Sequence, residues 1–160
     1  MALLAPNTPA PAFELPDQDG KLVKLSDFKG KSVVIYFYPR ALTPGCTVQA
    51  CALRDGLDEF AQRNVVVLGI SPDKPKVLKK FETQEDLNFR LLSDESHSVA
   101  ESYGAWQEKS MYGKKYMGMA RISYLISPAG TILHVLPKVD PKTHYEALIK
   151  LIDADESAKS

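Results

Sequence analysis

Two unbroken apolar stretches, Val33 to Tyr38 (in a strand read from Ser32) and Val65 to Ile70, dominate the hydrophobic pattern of the chain. Neither alternates with polar residues, and both are rich in β-branched or aromatic side chains. Each therefore predicts a central strand covered on both faces. Between them, from about Gly45 to Arg63, apolar residues recur at helical spacing, with Cys46, Ala50, Leu53, Leu57, Phe60 and Ala61 on one stripe. Asn64 is a suitable stop, since Asn tolerates the left-handed cap conformation. Two strands joined through a helix in this way run parallel.

The remaining pattern extends the same scheme. Residues 1–12, rich in Pro and Ala, read as an extended lead-in, and Phe13–Leu15 and Lys21–Leu25 as short strands about an Asp19-Gly20 turn. Ser26–Gly30 reads as a single helical turn closed by glycine. A helix follows Ser71-Pro72-Asp73-Lys74-Pro75 as far as about Asp86, then a short strand near Phe89–Leu92. A further helix lies within Ser93–Tyr103, with Ser93 or Asp94 as N-cap. Gly104 to Ala120 is polar and dotted with aromatics, and predicts a loop with a ragged edge strand. Arg121–Ser127 and Thr131–Leu136 form a hairpin about Pro128-Ala129-Gly130, and Asp140-Pro141 opens a last helix to about Asp153. The order predicts an α/β fold, a mixed sheet with helices on both faces. It reads as one domain over 1–160, flexible at 1–7 and 154–160.

Composition narrows the function. Twenty basic and twenty acidic residues cancel, so no general electrostatic pull toward nucleic acid or an anionic membrane is expected. The apolar fraction of 44% is ordinary for a soluble domain, and no run approaches a membrane span. Without a secretory leader pattern at the N-terminus, the expected compartment is the cytoplasm, where cysteines tend to be catalytic or redox-sensing. His97, His134 and His144 are scattered and read as surface or cap residues, with no ligand-like spacing to the cysteines.

Those cysteines are the main clue. Cys46 falls in the first turn of the predicted helix, directly after Thr43-Pro44-Gly45, where free backbone N–H groups and the helix dipole favour a thiolate. Cys51, the only other cysteine, falls roughly 140° around the helix, among Arg54, Asp55 and Asp58. Residues five apart in an intact helix have Cα atoms about 8.5 Å apart. A disulfide needs less than about 7 Å, so pairing Cys46 with Cys51 requires the first turns to unwind. Two readings follow: a thiol-dependent enzyme, or a redox-sensing binding protein that uses a Cys46–Cys51 switch without turnover.

The pattern Pro39-x-x-x-Thr43-x-x-Cys46, with Cys51 in Cys-x-Leu-Arg-Asp behind it, resembles the peroxiredoxins of the bacterioferritin-comigratory-protein (Q) group. Leu15-Pro16-Asp17-Gln18-Asp19-Gly20, Leu91-Leu92-Ser93-Asp94 and Arg121-Ile122-Ser123 extend the resemblance over roughly residues 8–152. It implies a thioredoxin-like fold and a peroxidase acting on hydrogen peroxide and organic hydroperoxides. Cys46 would be oxidised to a sulfenic acid, Thr43 and Arg121 would orient the peroxide, and Pro39 would shield the sulfur. Cys51 would then resolve the sulfenic acid as an intramolecular disulfide that thioredoxin reduces. The resemblance implies no metal, flavin or haem, and such a protein can work as a monomer. Ala120 departs from the His common at that place in the group.

Overall fold

The computed structural model describes residues 3–159. Its centre is a five-stranded sheet whose alternating side chains feed two separate cores. The strands are β3 (Ser32–Phe37), β4 (Val65–Ser71), β5 (Arg90–Ser93), β8 (Ile122–Ile126) and β9 (Ile132–Leu136), in spatial order β5-β4-β3-β8-β9. β3 pairs parallel with β4 and antiparallel with β8, placing Ile35 beside Leu68 on one side and Tyr124 on the other. β4 and β5 are also parallel, while β8 and β9 form an antiparallel pair. The sheet is mixed, as the pattern predicts.

Along β3, Val33, Ile35 and Phe37 point to one face and Val34 and Tyr36 to the other, all buried. Helices α1 (Pro44–Asp55), α2 (Leu57–Gln62), α3 (Pro75–Glu85) and α5 (His144–Lys159) line the second face through residues such as Leu53, Phe60, Phe81 and Leu148. The first face is closed by the hairpin of β1 (Glu14–Pro16) and β2 (Leu22–Lys24), a short 3-10 turn over Leu25–Phe28, and α4 (Ser98–Ser102). Helices thus flank both faces, four on one and a single short one on the other.

Three elements differ from expectation. The helix predicted over Gly45–Arg63 is two helices, broken at Gly56. A Cβ at Gly56 would lie 2.3–2.7 Å from the Tyr145 ring, so the break and the missing side chain together admit α5. Second, Gly104–Ala120 holds no ragged edge strand but a regular hairpin, β6 (Trp106–Met111) and β7 (Lys114–Met119), which among the described residues pair only with each other. Its turn is Tyr112-Gly113, at φ 52° and 79°. This is the double left-handed geometry of a tight hairpin turn, and a tyrosine at its first position gives little sequence signal for it. Third, α5 begins at His144 rather than at the Asp140-Pro141 pair, whose residues 141–143 form a turn, and extends past Asp153 to Lys159. The expected flexible ends include Met1, Ala2 and Ser160, which lie outside the described residues. Asn64 does stop the α2 segment in the left-handed region, at φ 59°.

Candidate active site

β3 delivers the chain to the site. After Phe37 the backbone passes Tyr38 and the half-buried Pro39, then turns through Leu42 at φ 66°, a conformation that costs a non-glycine residue about 1 kcal/mol. The turn is pinned from outside. The Asp73 carboxylate accepts the Ala41 N–H at 2.7 Å and the Ser71 hydroxyl at 2.8 Å, and Ser93 donates to the Asp73 carbonyl at 2.6 Å. Asp73 thus ties the ends of β4 and β5 to the loop leaving β3. Sequence reading treats it only as part of a helix start.

Thr43 is the N-cap of α1 by backbone conformation, with Pro44 at the first helical position, where its missing N–H has no helical partner to lose. The Thr43 hydroxyl donates to the Arg40 carbonyl at 2.7 Å. Its carbonyl accepts both the Thr47 N–H at 2.9 Å and the Thr47 hydroxyl at 2.7 Å. Cys46 follows within this first turn, 1% exposed, as a free thiol group.

Arg121, placed just before β8, reaches across the sheet end to this sulfur. Its Nη2 lies 3.2 Å from Cys46 Sγ, and its Nη1 donates to Gln49 Oε1 at 2.8 Å. The approach depends on Gly45, since a Cβ there would sit 2.8 Å from Arg121 Nη2. Behind Gln49, its Nε2 meets His144 Nδ1 at 3.1 Å, and His144 Nε2 meets the Ser123 hydroxyl at 2.7 Å. Gln49, His144 and Ser123 are each no more than 2% exposed. Burial, and then the positive charge of Arg121, push the His144 imidazole down to about 4. His144 therefore corrects the expectation of a surface or cap histidine. One available signal was Gln49, a polar residue one helical turn from Cys46 on a buried stripe.

Two tyrosines floor the site. The Tyr36 ring packs 5.3 Å from Tyr38 and 5.5 Å from His144. Burial raises both phenols, so they stay neutral. From the β6–β7 hairpin, burial and then Arg121 lower the Lys109 ammonium while Cys46 opposes this, so the hairpin lies within electrostatic reach of the sulfur.

Cys51 stands apart. It is half-buried, and its thiol donates to Glu85 Oε1 at 3.6 Å. Burial raises it above an ordinary thiol, Arg54 lowers it, and Glu85 raises it again. The same turn of α1 is tied to the end of α3, because Arg54 Nη1 donates to the Glu85 carbonyl at 2.6 Å and Asn88 Nδ2 to the Arg54 carbonyl at 3.2 Å. The fold thus brings Arg121 to Cys46 with Thr43 capping the same turn, and keeps Cys51 on another flank of an unbroken helix.

The AhpC/TSA family pattern matches residues 6–135. The chain is 54% identical over 140 residues to peroxiredoxin Bcp of Escherichia coli K12, covering 88% of this chain and 90% of that one. It is 44% identical over 148 residues to peroxiredoxin Bcp of Bacillus subtilis, covering 92% and 94%. Among solved structures, the bacterioferritin comigratory protein of Xanthomonas campestris superposes with a TM-score of 0.85 at 31% identity, over 89% of this chain and 91% of that one. A Xylella fastidiosa PrxQ mutant gives 0.91 at 26% identity, over 98% and 99%. This chain belongs to the AhpC/TSA family, within its Bcp/PrxQ group of peroxiredoxins, and is a thiol peroxidase of thioredoxin-like fold.

Proposed function

We propose that Cys46 is the peroxidatic residue of this hydroperoxide-reducing enzyme, and that Cys51 resolves it within the same chain. The observation that carries the reading is the Arg121 guanidinium 3.2 Å from a cysteine sulfur in the first turn of α1. Cys46, as thiolate, attacks the distal peroxide oxygen. The O–O bond breaks, sulfur becomes sulfenic acid, and the alkoxide or hydroxide leaves with a proton from solvent. Negative charge grows on the departing oxygen. Arg121 and the N–H groups of the helix start supply fixed donors for it. The Thr43 hydroxyl can both donate and accept beside the peroxide once released from Arg40, and Pro39 keeps water from the sulfur.

Resolution follows when the Cys51 thiol attacks the sulfenic sulfur, giving a Cys46–Cys51 disulfide and water. Five residues of intact helix hold the two Cα atoms about 8.5 Å apart, so α1 must unwind at its start for this step. A dithiol protein, thioredoxin by family resemblance, then reduces the disulfide by exchange. Such chemistry suits a reducing cytoplasm and needs no second subunit, so we read the protein as a single-domain monomer. No helix of the described residues is long and apolar enough to cross a membrane. The Xanthomonas relative is described for alkyl peroxide reduction, which supports organic hydroperoxides as substrates beside hydrogen peroxide.

The test is peroxide consumption coupled to thioredoxin and its reductase. Wild type turns over many times and Cys46→Ser does not. Cys51→Ser takes up one oxygen but is not recycled by thioredoxin. Activity surviving Cys46→Ser overturns the assignment. A single round without recycling in the wild type would favour the stoichiometric switch that two cysteines alone also allow.

A further inference from the structure

We propose that His144 and Ser123 are positioning residues for the peroxide step: as a buried, directional hydrogen-bond relay they fix Gln49, and through it hold the Arg121 guanidinium at Cys46. The proposal rests on the reading of Cys46 and Arg121 given above.

The direction of every bond in the relay follows from its one group of fixed polarity. A guanidinium can only donate, so Gln49 must turn its carbonyl oxygen to Arg121 Nη1. The Gln49 amide nitrogen is then left facing His144 Nδ1, at 3.1 Å. An NH2 group there demands a lone pair, so Nδ1 carries no proton. The imidazole proton accordingly sits on Nε2, which donates to the Ser123 hydroxyl at 2.7 Å. Only one tautomer of a neutral ring satisfies all these contacts.

The relay is also enclosed. Gln49 is 1% exposed, His144 2% and Ser123 0%, so a broken bond is not replaced by solvent. It gathers three elements: Gln49 from α1, Ser123 from β8 and His144 from the first residue of α5. Arg121 beside Gln49 and the neutral Tyr36, whose ring centre is 5.5 Å away, lie against the ring, and Lys138 and Asp140 share the small cavity that His144 lines. Removing the acceptor at Nδ1 leaves the Gln49 amide free to flip. A flipped amide would present N–H groups to the guanidinium and release Arg121 from its place.

The asymmetry of the ring designs the test. Asn at 144 can place a carbonyl oxygen near the Nδ1 position, whereas Phe fills the space without an acceptor. For wild type, His144→Phe and His144→Asn, stopped-flow gives the rate of Cys46 oxidation by hydrogen peroxide. Iodoacetamide, which does not need Arg121 to break an O–O bond, gives a second rate on the same sulfur. Because removing an oxyanion donor outright costs about 10²–10³-fold, misplacing one through the relay is expected to slow peroxide by about 10–100-fold in His144→Phe. Alkylation should change far less, and His144→Asn should recover most of the peroxide rate. Nitrogen-15 NMR of the wild type should show a neutral, Nε2-protonated His144 at pH 7. A wild-type peroxide rate in His144→Phe, equal loss in both variants and both reagents, or an Nδ1-protonated ring would overturn the relay. Should His144→Phe fail to fold, Ser123→Ala replaces it: a severalfold selective loss for peroxide supports the relay, and an unchanged rate refutes it. A wild type whose Cys46 ignores peroxide would instead remove the catalytic assignment beneath it.

Discussion

The Cys51 thiol donates to the Glu85 carboxylate at 3.6 Å, and this contact holds its sulfur against α3 rather than toward Cys46. Arg54 and Asn88 strengthen the same junction, so the end of α1 that carries Cys51 is fastened to the end of α3, and on the proposed mechanism it is the opposite end, at Cys46, that unwinds. On the proposed mechanism this fastening leaves Cys46 free to meet peroxide and restrains Cys51 from resolving it, a balance set by the junction. Glu85→Ala should shift that balance. With one hydrogen bond worth about 1 kcal/mol, sulfenic acid at Cys46 should convert to disulfide about fivefold faster, while the initial peroxide reaction is unchanged. Rapid quench and alkylation of free thiols measures both steps. An unchanged or slower conversion would show that Glu85 does not restrain Cys51.

Gly45→Ala tests the close approach of Arg121. The added methyl would fall 2.8 Å from Nη2, and the flexible end of the arginine is what must yield. Stability should change little. Peroxide reactivity should fall by at least about tenfold, since a misplacement on the order of 1 Å can cost about 100-fold. Thermal denaturation and stopped-flow oxidation on the same sample separate the two effects.

Gly56→Ala should do the reverse. Its methyl would lie 2.3–2.7 Å from three atoms of the Tyr145 ring, a buried contact between α5 and the junction of α1 and α2. Overpacking of this kind costs about 1–3 kcal/mol. The melting temperature should drop by several degrees, with the folded fraction keeping its peroxide rate.

His144 makes stability depend on pH with a definite sign. Its native pKa is about 4, below the ordinary 6.5, because burial and Arg121 oppose the charged ring. Above pH 6.5 both native and unfolded chains hold the ring neutral. As pH falls from 6.5 toward 4 only the unfolded chain gains the proton, so stability declines, by roughly 3 kcal/mol once both forms are protonated. Urea denaturation of wild type and His144→Asn across this range should show the variant losing less stability on acidification. Parallel curves would contradict the neutral buried ring.

How much of this was readable in the sequence depends on what each feature needs from distant residues. The sheet core was legible because Ser32–Tyr38 and Val65–Ile70 carry their burial in their own composition, and Asn64 announces its left-handed turn. Cys46 stood out through a local strand-to-helix junction, whereas Thr43, Pro39 and Arg121 entered as candidates only through the family resemblance. The break at Gly56 was not, because its cause is the ring of Tyr145, far along the chain. The β6–β7 hairpin was hidden by two largely solvated faces, which erase the alternation that marks a half-buried strand. Arg121 has no local signal in the sequence beyond that family resemblance. Only the tertiary fold gives it Gln49, His144 and Ser123, and only the fold gives the loop after β3 its anchor at Asp73.

The most direct test of the account follows the first oxygen atom. Reduced Cys51→Ser protein, treated with one equivalent of hydrogen peroxide, trapped with a sulfenic-acid reagent and mapped by peptide mass spectrometry, should carry a single added oxygen on Cys46. Oxygen found on methionines with Cys46 still a free thiol would contradict it.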